Sequence, residues 1–461
     1  MDSLSFLIFF RNLVEYKGVS YSRKKEKNYR LKTFKNIDYE LDNQEYRGRC
    51  RKSDLDGVSR NRKLSFKNLI FLIMVFKSSI QRELDRFYKE INGSDFNIRK
   101  VTKGAFSKAR ALLDPYAFSR LNEIAVNTFY DEAPFFNWLG HRLLSCDGSR
   151  LVLPKHESII KEFGEHNFGP KANSPKSLAI CSVLYDPLNL ISIDAQIDKY
   201  ASSERDLLVK HLDKTKPGDI LLLDRGYPCF WLFFLLTAKK VEFCIRMKDD
   251  WWLEANQFLQ SDEDERIVEF SLPKKDHAKY ADFRDIVNDT IKCRLIKVQL
   301  ENGEIEILCT SLLDTEKYKL EGFGLLYNIR WNEEEAYKLL KCRAELENFS
   351  GKTAIAVKQD FQAKIFTMTL CSIFAHPIEE KVREEYKADE NRKFDQKINR
   401  TSALAMTIDI CIPVFIKKQF RKAIEAFDKI VYDSREIIRP DRHNPRNHKT
   451  KKLYNMLYKR L

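Results

Sequence analysis

The chain has 461 residues, more than one hydrophobic core can organise, so two or three folding units are expected. Hydrophobic residues make up 43% and aromatic residues 12%, which excludes a chain disordered throughout. Lys and Arg outnumber Asp and Glu by 81 to 67, a net charge of +14 that favours a polyanionic partner.

Ten cysteines are scattered from Cys50 to Cys411 with no C-x-x-C pair, so neither a zinc ribbon nor a disulfide framework is expected. The start, with Asp2 and an apolar run over 4–10 that meets Arg11, lacks the basic region and cleavage site of a signal peptide. The longest apolar stretches, 66–76, 230–238 and 403–416, fall short of the ~18 uninterrupted residues of a membrane span. A cytoplasmic protein without a membrane partner is expected. Eight histidines without an H-E-x-x-H pattern, and no Walker-type glycine loop, leave no competing zinc or nucleotide site.

Residues 1–65 read as a basic N-terminal arm, crowded with cations such as Arg23, Lys24, Lys25, Lys27, Arg30, Lys32 and Lys35. From Phe66 the apolar spacing turns helical, and 66–135 reads as a helical region able to bind a nucleic-acid groove. There Thr102 caps a helix over 103–113 that ends before Asp114 and Pro115. On it Lys103, Lys108 and Arg110 would face the groove and Phe106, Ala109, Leu112 and Leu113 would pack inward. An amphipathic helix with solvated lysines is the other reading.

β-rich runs begin at Leu143: 143–153, 177–185 and 190–197, then 219–224 and 242–247, with helical patterns at 203–212 and 230–240. Three strands, helix, strand, helix, strand describe an α/β unit with a mixed sheet opening in a meander. A β-rich insertion over 250–320 follows, its strands 291–300 and 304–310 joined by a turn at Glu301, Asn302 and Gly303. Helical periodicity returns over 324–349, 353–375 and 401–432. The core is therefore expected in two parts, 136–249 and 321–378, before a helical C-terminal region and basic tail at 379–461. From Arg435 that tail carries nine cations against Glu436 and Asp441.

Two acids stand out in the strands. Asp147 interrupts the apolar run Leu-Leu-Ser-Cys-Asp-Gly-Ser-Arg-Leu-Val, where a buried carboxylate is costly without a metal or a donor. A turn aspartate before Gly148 is the plainer reading. Asp224 closes the run Asp219-Ile-Leu-Leu-Leu-Asp224, at the strand end where α/β sheets form sites, although it can also cap the following helix. A third element is the helical run carrying Tyr327, Arg330, Glu334 and Lys341. On a continuous helix the last three fall about 300°, 340° and 320° from Tyr327, so one acid, two cations and a phenol share a face. A carboxylate for a metal and cations for phosphate oxygens suit phosphoryl chemistry, whereas a solvated face with salt bridges is the bland alternative.

These residues, spaced Y-x2-R-x3-E-x6-K, together with the Asp-Gly-Ser and Asp-Arg-Gly-Tyr contexts, resemble the bacterial insertion-sequence DDE transposases with the YREK signature. The resemblance runs over about 60–461 and includes Trp331 and Leu346-Glu-Asn-Phe-Ser350. It implies a ribonuclease H-like mixed-sheet core with a β-rich insertion between the second Asp and the Glu. It implies Asp147, Asp224 and Glu334 as catalytic residues and ligands of Mg2+, with Mn2+ as a substitute. By the same resemblance Tyr327, Arg330 and Lys341 grip DNA phosphates, with Arg225 assisting. The activity implied is cut-and-paste transposition of double-stranded DNA, with terminal inverted repeats and target DNA as partners. A homodimer in the synaptic complex and a nucleoid-associated location go with it. The rival expectations are a ribonuclease H-like DNA nuclease without strand transfer and a non-catalytic DNA-binding transposase remnant. Trp251 and Trp252, which can stack on a base or pack in the core, stay outside the site.

Overall fold

The computed structural model describes residues 14–17, 28–51, 63–77, 79–167, 175–248, 252–274, 290–300, 303–389 and 392–439. Strand β1 (Val14–Lys17) pairs with β2 (Phe135–Trp138), across helices α1 (Asn28–Asp42), α2 (Gln44–Arg49), α3 (Phe66–Val75), α4 (Ile80–Asn92), α5 (Lys103–Ala111) and α6 (Tyr116–Glu132). Polar side chains cap three of these helices: Asn43 Oδ1 accepts from Glu45 N at 2.9 Å, the Ser65 hydroxyl from Asn68 N at 3.2 Å and the Thr102 hydroxyl from Ala105 N at 3.3 Å.

The sheet that positions the site contains β3 (Leu143–Val152), β4 (Glu165–His166), β5 (Lys176–Asp186), β6 (Ile191–Lys199), β7 (Ile220–Leu223) and β8 (Glu242–Arg246). Helices α7 (Glu157–Phe163), α8 (Glu204–His211) and α9 (Phe230–Ala238) are interleaved with them. β6, β5 and β3 form the expected antiparallel meander, and β7 and β8 join it parallel to β3. This is the mixed sheet of a ribonuclease H-like core. Its inner strands are apolar on both faces, as parallel strands covered by helices must be.

After α10 (Leu253–Leu259), the strands β9 (Glu265–Ser271), β10 (Thr290–Gln299) and β11 (Ile305–Thr310) form an antiparallel extension. β11 pairs with β8, so this β-rich stretch continues the central sheet, giving nine strands among the described residues. Trp252 packs on Phe230 and Phe233 at ring distances of 4.4 and 5.5 Å, which places it in the core; Trp251 lies outside the described residues.

The helical half holds the largest departures from expectation. The run 324–349 is broken into α11 (Glu321–Asn328), α12 (Trp331–Lys338) and a π turn, Leu339–Arg343. At the joint, Arg330 N, Asn332 N and Glu333 N bond three residues back instead of four, tightening and re-aiming the helix. The later helical runs become α13 (Ala354–Glu385), α14 (Arg400–Cys411) and α15 (Phe420–Asp433). α13 is buried along most of its length and forms the spine between the sheet and the other helices.

Residues 28–49, expected to be part of a loose basic arm, are instead packed helices. Tyr29, Phe34, Ile37 and Leu41 of α1 are buried, and Arg30 donates to both carboxylate oxygens of Asp428 at 2.6 and 3.0 Å. Arg23, Lys24, Lys25 and Lys27 lie outside the described residues, as does the tail beyond residue 439. Arg110 is the second correction. Instead of facing a groove it is buried and donates to Asp360 at 2.7 Å, Ser350 at 2.6 Å, Gln359 at 2.6 Å and Ala356 O at 2.9 Å. A guanidinium can leave water only when its charge is paired and its nitrogens are engaged, and Ser350 with the first turns of α13 does both. Lys103 and Lys108 remain exposed.

Candidate active site

An ion pair sets the register that brings the first two acids together. Arg142 donates to Asp219 through Nε at 2.9 Å, and Ile220 N bonds Arg142 O at 3.0 Å, so β3 and β7 start level. The parallel pairing runs from Leu143 opposite Ile220 to Ser145 opposite Leu222, and two residues further along each strand stand Asp147 and Asp224. Alternation puts both on the face of Leu143, Ile220 and Leu222, which pack against Phe323, Leu326, Tyr327 and Ile329 of the α11 end. The acids therefore look toward the joint that carries Arg330 and Glu334.

Each acid is held locally. Asp147 Oδ1 accepts from Gly148 N at 2.8 Å, Asp224 Oδ1 accepts from Gly226 N at 2.8 Å, and the Asp147 carbonyl accepts from the Tyr337 hydroxyl at 2.9 Å. Glu334 is half-buried and pairs with Arg330 Nη2 at 3.4 Å. Burial raises the Asp147 pKa from its ordinary value; Asp224 and Glu334 raise it further, while the Gly148 amide and Arg330 oppose the rise. These contributions show that Asp147, Asp224, Arg330 and Glu334 share one electrostatic neighbourhood. Arg330 is 8% exposed and keeps its Nε without a partner. Burial works against its charge, yet Tyr327, Asp147, Asp224 and Glu333 raise its pKa.

The remaining sequence-predicted residues are placed as follows. Tyr327 is buried with its hydroxyl donating to Leu223 O at 3.4 Å, directly before Asp224. Lys341 Nζ donates to Arg150 O at 2.7 Å near the end of β3, and Arg225 is exposed beside Asp224. Tyr327 thus braces the end of β7 before Asp224, and Lys341 holds β3 three residues beyond Asp147.

Two acids were not singled out from sequence. Glu333, next to Glu334, is 1% exposed, and neither of its oxygens makes a well-formed hydrogen bond. Burial drives its pKa far up and the Asp147 charge adds to this, tempered by the nearby Ser145 hydroxyl and Arg330. Glu204 opens α8 and reaches the glycines that follow the two aspartates. A Cβ on Gly148 would collide with its side chain, whose Cδ and Cγ lie 2.7 Å from that position, and a Cβ on Gly226 would lie 3.7 Å from Glu204 Oε2. The only trace of Glu204 in the sequence is the pair of small residues.

A triad-like chain, Ser182 Oγ to His211 Nε2 at 3.1 Å and His211 Nδ1 to Asp194 at 2.7 Å, lies under α8. Ser182 and His211 have no exposed surface, so no substrate can reach the hydroxyl, and the chain ties α8 to β5 and β6.

Among the described residues no three Asp, Glu, His or Cys side chains are already drawn into a metal cage. The donors facing the neighbourhood are nevertheless hard carboxylate oxygens, suited to Mg2+ or Mn2+ and not to soft metals. The mutual repulsion around Asp147 and the unpartnered Glu333 oxygens are deficits that a divalent cation would relieve.

Fold and site together define an enzyme-like class: a ribonuclease H-like sheet with one acid in the middle of β3, a second just past the end of the adjacent parallel strand β7, and a third on a neighbouring helix. The family model of the transposase DDE domain matches residues 138–370, half of the chain, and the chain belongs to that family of DDE transposases. No curated protein matches. A solved piggyBac transposase synaptic complex with hairpin DNA is similar at 11% identity, with a TM-score of 0.41, over 89% of this chain and 87% of that one. Among the described residues no helix is long and apolar enough to cross a membrane.

Proposed function

We propose that this transposase cleaves the ends of an insertion sequence and joins them to target DNA, with Asp147, Asp224 and Glu334 as the catalytic carboxylates. The observation that carries the reading is the level register of β3 and β7, which sets Asp147 beside Asp224 facing the Arg330–Glu334 joint. Asp147, Asp224 and Glu334 would hold Mg2+ or Mn2+. Bound there, the cations neutralise phosphate charge and increase the acidity of the attacking hydroxyl.

The protein's own groups position the DNA. Arg330, buried with an unpartnered Nε, is aimed at the same acids and offers a guanidinium to a phosphate oxygen. Tyr327 fixes the end of β7 and Lys341 fixes β3 beyond Asp147, so that the carboxylates hold their places as the phosphate enters, and exposed Arg225 supplies a further cation. Hydrolysis at the element end breaks one P–O bond and leaves a 3′-OH. That hydroxyl then attacks a target phosphodiester: a new O–P bond forms, the target's own 3′ oxygen leaves and takes up a proton, and no external energy source is needed. A pair of subunits holding two element ends fits this reaction, with the terminal inverted repeats as the recognised sequence and the nucleoid as its place.

The test is incubation of the protein with a labelled duplex ending in the element's own terminus and a supercoiled target plasmid, with Mg2+. Labelled strand covalently joined to plasmid is the expected product. Cleaved but never joined duplex would instead identify a nuclease without strand transfer, and intact but bound duplex a non-catalytic remnant.

A further inference from the structure

Glu204 is reached by neither the motif spacing nor the three-carboxylate reading, yet its side chain occupies space that only glycine leaves open. Both neighbouring glycines are tied to the candidate aspartates: Gly148 follows Asp147 directly, and Gly226 donates its amide to Asp224. The Glu204 side chain therefore lies against β3 just after Asp147 and close to the loop after β7, approaching from α8 while Glu334 is carried by α12. Resting on the reading above, we propose that Glu204 is a fourth carboxylate of the divalent-cation site, contributing an oxygen donor beside Asp147 and Asp224.

The placement is fixed from both ends of α8. Arg205 donates to Gly226 O at 2.8 and 3.1 Å and to Pro228 O at 3.1 Å, anchoring the start of the helix to the loop after Asp224. His211 at the other end bonds Asp194 and Ser182. A glutamate swinging freely in solvent would need neither constraint.

Carboxylates gather here from three directions: Asp147 and Asp224 from the sheet, Glu204 from α8, and Glu334, paired with Arg330, from α12. Glu333, next to Glu334, is almost wholly buried, and neither of its oxygens makes a well-formed hydrogen bond. Buried polar atoms in this state mark a place where a ligand supplies the missing partner.

Mn2+ serves as the probe, titrated into the full-length, metal-stripped protein without DNA, with free Mn2+ read by electron paramagnetic resonance. The wild type should bind, and Asp147→Asn should abolish binding if the underlying site is right. Glu204→Gln, which keeps the size of the side chain, should weaken binding by about tenfold or more. Gly148→Ala should weaken it similarly, because the added methyl displaces the same carboxylate without removing its charge. Wild-type affinity in Glu204→Gln, with binding lost in Asp147→Asn, overturns the fourth-carboxylate proposal and leaves the three-carboxylate site standing. Wild-type affinity in both Glu204→Gln and Asp147→Asn overturns the two together. Folding of the variants is checked by near-UV circular dichroism; if Gly148→Ala does not fold, Glu204→Gln alone decides.

Discussion

The molecule buries charge in two places and treats it in opposite ways. Around Arg110 all three guanidinium nitrogens are engaged: Asp360, Ser350, Gln359 and the Ala356 carbonyl form the network, and Asp360 also accepts from Ser350 N. Around Asp147 the account does not close: acids outnumber cations, and Glu333 and the Arg330 Nε stand without partners. A satisfied buried network holds helices together, whereas an unsatisfied one is kept at a cost in stability and is explained by what binds there. The contrast separates a structural charge cluster from a functional one without reference to motifs.

The largest effects should come from the unsatisfied cluster, in activity and not in folding. Asp147→Asn, Asp224→Asn and Glu334→Gln should each lower DNA cleavage on the order of a thousandfold or more while DNA binding in a mobility-shift assay survives. The satisfied cluster should show the reverse. Arg110→Ala leaves a buried carboxylate uncompensated and should cost about 3–5 kcal/mol in urea unfolding. A loss under about 1 kcal/mol would mean that the network is not structural.

Next in size is a gain. Glu333→Gln removes an acid whose ionisation the fold disfavours, and the metal-free protein should become more stable at neutral pH, read as a higher urea midpoint. The sign follows from the raised pKa of Glu333: its penalty is fully present above the folded-state pKa and vanishes below the unfolded one, so the gain should shrink on acidification. No gain at neutral pH would place Glu333 in a satisfied environment and weaken the comparison.

His376 provides a smaller contrast. Burial, with Arg383, Arg400 and Arg30 adding to it, lowers its pKa to about 3. Since the unfolded chain protonates this histidine near 6.5, stability should fall as pH drops from there toward about 3, by up to about 1.4 kcal/mol per unit from this group. His376→Gln should flatten that part of the curve.

Much of the fold could be read from sequence because its signals are local. The apolar run 219–224 marks a covered strand, Thr102 starts a helix, and Asp147 and Asp224 declare themselves as charges in apolar strands. What escaped depends on partners far along the chain. The burial of Arg30 and Arg110 rests on Asp428 and Asp360, and the dense cations of residues 23–35 hid the apolar stripe of Tyr29, Phe34, Ile37 and Leu41. An ideal 100° rotation per residue describes the Tyr327 to Lys341 run only approximately, because the tightened joint at Arg330 and the π turn after Lys338 change the winding. Glu204 reaches Asp147 only through the sheet and α8, and nothing in the spacing announces it.

The central claim, that Asp147, Asp224 and Glu334 form the metal-dependent cleavage centre, is tested most directly on a labelled duplex carrying the element end. Wild type and the three single variants are compared with Mg2+ and with EDTA. Wild type should cut with Mg2+ only, and none of the variants should cut under either condition. Cutting by any variant at the wild-type rate would contradict it.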